Sequence, residues 1–204
     1  MQHTLLSTLF GCWRNNSQML LILVDKMLKM QILDCAVVVQ WIFEEVKEEH
    51  NRQWVWEMLN SALEKLGKHV AKCKNDLETM RKEKGNRKEG EEEEMEGDEE
   101  KDDETALMAK EAEVAALVES QKNVFLDVFL KFAVSLSEAV RDKGEEVTEG
   151  LWFKWTEGRM RHVFQQHEVV ISQFTSSLDD NIFSNAEVDK RAVQIFREFC
   201  ALRK

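Results

Sequence analysis

The chain has 204 residues, 43% of them hydrophobic, and a formal net charge of −11. That length holds one domain, or two small ones, with enough apolar material for a core. Proline is absent and glycine numbers only 8, which excludes a turn-rich strand architecture and favours long, uninterrupted helices.

The acidity is local. Residues 89–104 hold twelve acids against Lys101 alone, which accounts for the whole net charge. The remainder is neutral and offers no general basic field of the kind that drives phosphate binding. The apolar run at 19–24 is broken by Asp25 and Lys26, so no membrane span is expected. No basic segment precedes an apolar one at the start, so no secretory signal is expected either. The widely spaced Cys12, Cys35, Cys73 and Cys200 lie among apolar residues and are expected to be buried thiols in a reducing compartment.

In chain order, Leu5, Leu6, Leu9, Phe10 and Trp13 predict a first helix over 3–13. Asn15, Asn16 and Ser17 form a turn with cap-forming side chains, followed by a second helix over 18–30. Asp34 is placed as the next N-cap, with Leu33 and Val38 spaced for a hydrophobic staple. A third helix over 35–46 presents Val38, Trp41 and Ile42. A polar break follows at 48–51.

The fourth helix starts in an apolar stretch, Trp54-Val55-Trp56. It continues as a seam of Leu59, Leu63, Leu66, Val70, Cys73, Leu77 and Met80, in alternating steps of four and three. Over 59–80 it extends about 33 Å at 1.5 Å per residue. Beyond the acidic tract a helix is predicted from near Thr105, with Leu107, Val114, Val118, Phe125, Val128 and Phe132 on its seam. Glu111 and Gln121 are the polar exceptions. The two helices have mirrored apolar gradients. This predicts an antiparallel coiled-coil arm over 59–120 with a disordered acidic tip at 84–104. Dimerisation of the fourth helix with another chain is the alternative. A loop is expected at 144–150, then a helical stretch over 151–183 broken near 165–167. After a turn at 184–189, a last helix carries Val193, Ile195, Phe196, Phe199 and Leu202. Successive helix pairs of this kind predict an all-α solenoid, one helical-repeat domain over 1–204.

No catalytic constellation stands out. His162 and His167 are five apart and do not share a helix face as ligands four apart would. No glycine-rich phosphate loop is present, and the abundant carboxylates fit solvated helix faces. No enzyme activity, cofactor or metal is expected. Trp13, Trp41, Trp152 and Trp155 are placed in the core. Trp54 and Trp56 point roughly oppositely, so either both are buried or one faces a partner. The basic group Arg81, Lys82, Lys84, Arg87 and Lys88 fits neutralisation of the neighbouring acids, with a nuclear import signal or RNA patch as alternatives.

Several stretches in order carry a resemblance: WRNNSQMLLILVDKMLKMQILDCAVVVQWIF (13–43), VWEML (55–59), KHV (68–70), QKNVFLDVFLKF (121–132), VFQQHEVVI (163–171) and FREFCALRK (196–204). Together they resemble the C-terminal region of the large subunits of nuclear cap-binding complexes. The resemblance implies a third helical-repeat domain of the HEAT-like, initiation-factor-4G middle-domain type, with a protruding helical hairpin. It implies a non-enzymatic scaffold in the nucleus, able to shuttle to the cytoplasm. The implied partners are a small RNA-recognition-fold subunit that holds the 7-methylguanosine cap, capped RNA through that subunit, and other RNA-processing proteins. Splicing, mRNA transport and nonsense-mediated decay are the implied processes. It also implies that Met1 falls inside a domain, leaving Leu5, Leu9 and Phe10 uncovered. No interface residue can be assigned from sequence. An acidic-tract protein binding basic partners remains the alternative from another class.

Overall fold

The computed structural model describes the backbone of residues 1–90 and 99–202, and the side chains of residues 1–84 and 104–202. The described residues contain helices and no strand: α1 (Gln2–Trp13), α2 (Ser17–Lys29), α3 (Cys35–Glu44), α4 (Gln53–Gly90), α5 (Glu99–Lys143), α6 (Leu151–Gln166), the one-turn α7 (Glu168–Ile171) and α8 (Thr175–Leu178), and α9 (Lys190–Ala201). They fall into two compact units, residues 1–63 with 122–204, and residues 64–121.

In the first unit the helix starts follow local chemistry. Asn16 caps α2, its Oδ1 accepting the Met19 amide at 3.1 Å. Asp34 precedes α3 but makes no side-chain cap bond. Its carboxylate instead accepts from Gln2 Nε2 at 2.9 Å, while Gln2 Oε1 accepts the Asp34 amide at 2.9 Å. Leu33 and Val38 are both buried, as a staple requires. α3 ends at Glu44, earlier than its apolar run, and Val46 is buried in the turn that follows.

Aromatic rings tie these helices together. Trp56 stacks on Phe132 with centroids 5.6 Å apart, and Phe43 meets Phe132 edge-on at 5.0 Å. α3, α4 and α5 thus converge on one cluster. Phe164 of α6 is a second hub, stacked on Phe129 at 3.9 Å and on Phe199 at 4.8 Å. Each such ring pair adds about 0.5–1.5 kcal/mol beyond area burial. α1 is not left bare: Leu6 is fully buried, and Phe10 packs against Trp41 and Trp54 at 5.5 and 5.8 Å. The face of Leu5, Leu9 and Phe10, expected to be uncovered, is half-buried, and Phe10 is covered by Trp41 of α3 and Trp54 of α4.

The predicted break at 165–167 occurs at His167, where α6 ends. The stretch beyond is more broken than expected. α7, a 3-10 turn (Ser172–Phe174), α8 and a π turn (Asp179–Phe183) succeed one another. Ile171, Phe174, Leu178, Ile182 and Phe183 are nonetheless all buried, the first four at the steps of three and four that a single helix face shows. The loop at 144–150 contains a 3-10 turn (Glu145–Glu149), entered through Gly144 at φ 78°. Arg191 of α9 pins that turn by an ion pair to Glu145, and pairs at 3.1 Å with Asp189, the N-cap of its own helix.

In the second unit, Cys73 and Leu77 of α4 pack with Val114 of α5, joined by Leu107, Leu117 and Val118. Val70 is buried as well. These seam positions are occupied within the chain, which leaves little apolar seam for pairing with another chain. Arg81 donates to Glu111 at 2.6 Å, so one polar seam position is explained by an ion pair. The other, Gln121, is only 5% exposed and comes within 3.7 Å of where a Cβ on Gly67 would stand. α5 begins at Glu99 rather than near Thr105. α4 likewise runs on to Gly90, so of the expected disordered segment at 84–104 only residues 91–98 lie outside the described backbone.

Two outcomes follow from this packing. Gly67 has helical backbone and a van der Waals distance to spare, so Gly67→Ala should stabilise α4 by about 0.5–1 kcal/mol. Urea unfolding with helicity as the probe reads this; a lower midpoint would show that Gln121 cannot yield. The second outcome concerns His50, 1% exposed between Phe43 and Trp56. Its Nε2 lies 2.9 Å from the Ile42 carbonyl, and its Nδ1 is buried without a hydrogen-bond partner. Burial holds the imidazole pKa below its ordinary value, so the folded protein resists a proton that the unfolded chain accepts near about 6.5. His50 thus contributes stability that is complete above about pH 6.5 and lost as the pH falls through the lower folded value. Thermal melts across about pH 5 to 8 should show that decline, and His50→Gln should flatten it. An unchanged slope in the variant would place the acid sensitivity elsewhere.

Candidate partner-docking surface

α6 divides into two faces. Phe153, Thr156, Met160, Val163 and Phe164 are buried. Leu151, Trp155 and Arg159, each four residues apart, share another face. Leu151 is 88% exposed and Trp155 41% exposed. The Arg159 guanidinium lies over the Trp155 ring at 4.4 Å, and its Nη2 donates to Gln53 Oε1 at 2.5 Å. Burial lowers the Arg159 pKa, and the Glu57 charge opposes that shift, so the group stays cationic. The stack is thereby held from two sides before any partner arrives.

Gln53 and Glu57 continue the surface on to α4. With Trp54 and Leu21 of α2 they line an open concavity of about 560 Å³. A smaller one, about 300 Å³, follows along the same helices between Ile22, Leu28 and Met58. Ser61 donates to Asp25 Oδ1 at 3.0 Å and fixes the α2–α4 spacing there. The smaller concavity is largely aliphatic, while the one beside the exposed Trp–Arg stack sets Leu21 and Trp54 among Ser17, Gln18, Arg52, Gln53 and Glu57. Trp and Arg are the residues that most often dominate docking energies, because they bury large area at small entropic cost. This arrangement suits protein recognition. It brings together no nucleophile with a base, and the described residues contain no cluster of three metal-ligating side chains.

The other residues singled out by sequence fall elsewhere. Trp54 and Trp56 are both buried, the first of the two alternatives. Trp41 is buried, but Trp13 and Trp155 are exposed, contrary to expectation. A helix with apolar residues on more than one face leaves some of them outside when only one face is covered. The same holds for Leu202, 83% exposed at the end of α9. Of the cysteines only Cys73 is buried; Cys12 is exposed, and Cys35 and Cys200 are half-buried. Their neighbourhood is apolar, but their own positions face the rim of the packing. None of the four is paired in a disulfide, and burial with the neighbouring Asp34 charge pushes Cys35 up to about 12. His162 is exposed on α6, and His167 ends that helix. In the basic group, Arg81 pairs with Glu111 and Lys82 with Glu78 at 2.7 Å, both acids outside the tract that the group was expected to neutralise. The side chains of Arg87 and Lys88 lie outside the described residues. No described helix is long and apolar enough to cross a membrane. The Leu151, Trp155 and Arg159 spacing was present in the sequence, but a stripe four residues apart reads equally as core.

Trp155→Ala should cost less than about 1 kcal/mol of stability, since mainly an exposed cation–π contact is lost. A thermal melt measures it. A collapse of the fold would instead make Trp155 a core residue.

Comparison with known proteins places the chain. Residues 1–172 match the MIF4G-like family. The chain is 34% identical to nuclear cap-binding protein subunit 1 of Xenopus tropicalis, with 98% of the chain and 26% of that protein covered. The human protein of the same name is 33% identical over 97% of the chain and 26% of its own length. For the Caenorhabditis elegans protein the figures are 34%, 99% and 28%. The chain thus spans about a quarter of the length of the curated relatives it matches. Its helix-only architecture is that of an all-α solenoid, and the chain belongs to the MIF4G-like family.

Proposed function

We propose that the chain is the third helical-repeat domain of a nuclear cap-binding complex large subunit and acts as a non-enzymatic scaffold. One observation carries this: similarity to nuclear cap-binding protein subunit 1 runs through almost the whole chain. Residues 59–120 are its coiled-coil arm, with the acidic segment 84–104 at the tip. The domain supports a small RNA-recognition-fold subunit in holding the 7-methylguanosine cap. It meets capped RNA through that subunit, in the nucleus and on transcripts shuttling to the cytoplasm. Splicing, mRNA transport and nonsense-mediated decay are the processes it serves.

The Trp155–Arg159 stack and the α2–α4 groove support a protein-docking role, since they offer area and orientation rather than chemistry. The test is co-precipitation of the purified small subunit with a full-length large subunit carrying this region. Wild type should retain it. Replacing Trp155 and Arg159 together by alanine should weaken retention at least about tenfold, as truncation of such anchors does. Equal retention by wild type and variant would remove this surface from the interface. No retention by wild type would remove the scaffold role itself.

A further inference from the structure

A third concavity, of about 840 Å³, opens in the first unit between the π turn and α9. Its floor is apolar: Phe183 and Phe196 stack at 4.4 Å, flanked by Val188 and Val193. Its rim is polar and carries two cations, Lys190 and Arg197, against one carboxylate, Asp179. Asp179 is engaged, accepting the Ser184 hydroxyl at 3.0 Å. Lys190 reaches Glu145 at 3.4 Å in a pair that leaves the lysine side chain 73% exposed. Arg197 is exposed and makes no ion pair with a described residue. π turns interrupt helical bonding at a cost and recur at functional sites, and this one builds the cleft wall.

We propose that this cleft binds a short acidic peptide segment of a partner protein, with an apolar side chain on the Phe183–Phe196 floor and carboxylates on Arg197 and Lys190. The cleft volume falls in the range of small-ligand sites and accommodates a few residues. Arg197, which no described carboxylate pairs, selects carboxylate flanks over basic ones. Binding here is separate from the Trp155 surface and does not depend on the cap-complex assignment.

The probe is a fluorescein-labelled peptide EELFEE titrated with the full chain and read by anisotropy. Its counterparts QQLFQQ and EEAAEE test charge and anchor separately, and a labelled oligouridine tests nucleic acid. EELFEE should bind, weaken with salt, and lose about tenfold in affinity to Arg197→Glu, while both counterparts bind at least about tenfold more weakly. Arg197 is exposed, so the variant should keep its helicity and melting temperature; Arg197→Lys should retain binding as a control. Absence of binding by EELFEE, equal binding of QQLFQQ, or an unchanged affinity in Arg197→Glu would overturn the proposal. Tighter binding of oligouridine that competes with EELFEE would overturn it in favour of a nucleic-acid site.

Discussion

The first unit depends on rings meeting rings. Trp56 stacked on Phe132, with Phe43 against that ring, joins the neighbouring α3 and α4 to α5, which is far from both in sequence. Without proline or many glycines to shape turns, the chain has few local devices for setting helix angles. Large flat side chains do it instead, since each fills a wide gap and tolerates only a few mutual orientations. Polar partners then fix what the rings leave open. Trp56 Nε1 donates to the His50 carbonyl at 2.8 Å, and Trp41 Nε1 donates to Ser7 at 3.2 Å. Both indoles are buried, and leaving either donor unpaired would cost about 1–3 kcal/mol.

This packing decides where function can sit. The aromatic residues consumed by the core are unavailable to a partner, and the few left outside become informative. Trp155 stands out because Arg159 holds its ring and Gln53 holds Arg159. An exposed tryptophan fixed in this way loses little freedom on binding, which is what makes such a side chain an effective anchor. The π turn at Asp179–Phe183 likewise follows from core demands, since Ile182 and Phe183 must both turn inward. The cleft it leaves beside α9 is a consequence of that geometry.

Much of the fold was legible because the responsible interactions are local. Asn16 as a cap and the break near His167 depend on residues within a few turns, and the seam through Val70, Cys73 and Leu77 repeats within one helix although its partner Val114 lies on α5. The misses depend on distant partners. Asp34 gave up its capping role to Gln2, thirty-two positions away, which no local pattern announces. Trp13 and Trp155 were placed inside because periodicity finds an apolar face without saying whether anything covers it. The succession of short turns after His167 carries no glycine or proline mark. The candidate surface was illegible for the same reason: Leu151, Trp155 and Arg159 acquire meaning only once the other face of α6 is buried.

The proposed function rests on a preformed protein-docking face built on α2, α4 and α6 of this MIF4G-like chain. Hydrogen–deuterium exchange of the full-length large subunit, with and without the purified small subunit, tests it most directly. Slowed exchange at the starts of α4 and α6 and along α2, with the buried ring clusters unchanged, is the predicted result. Slowed exchange confined to other segments, with α2, α4 and α6 unaffected, would contradict it.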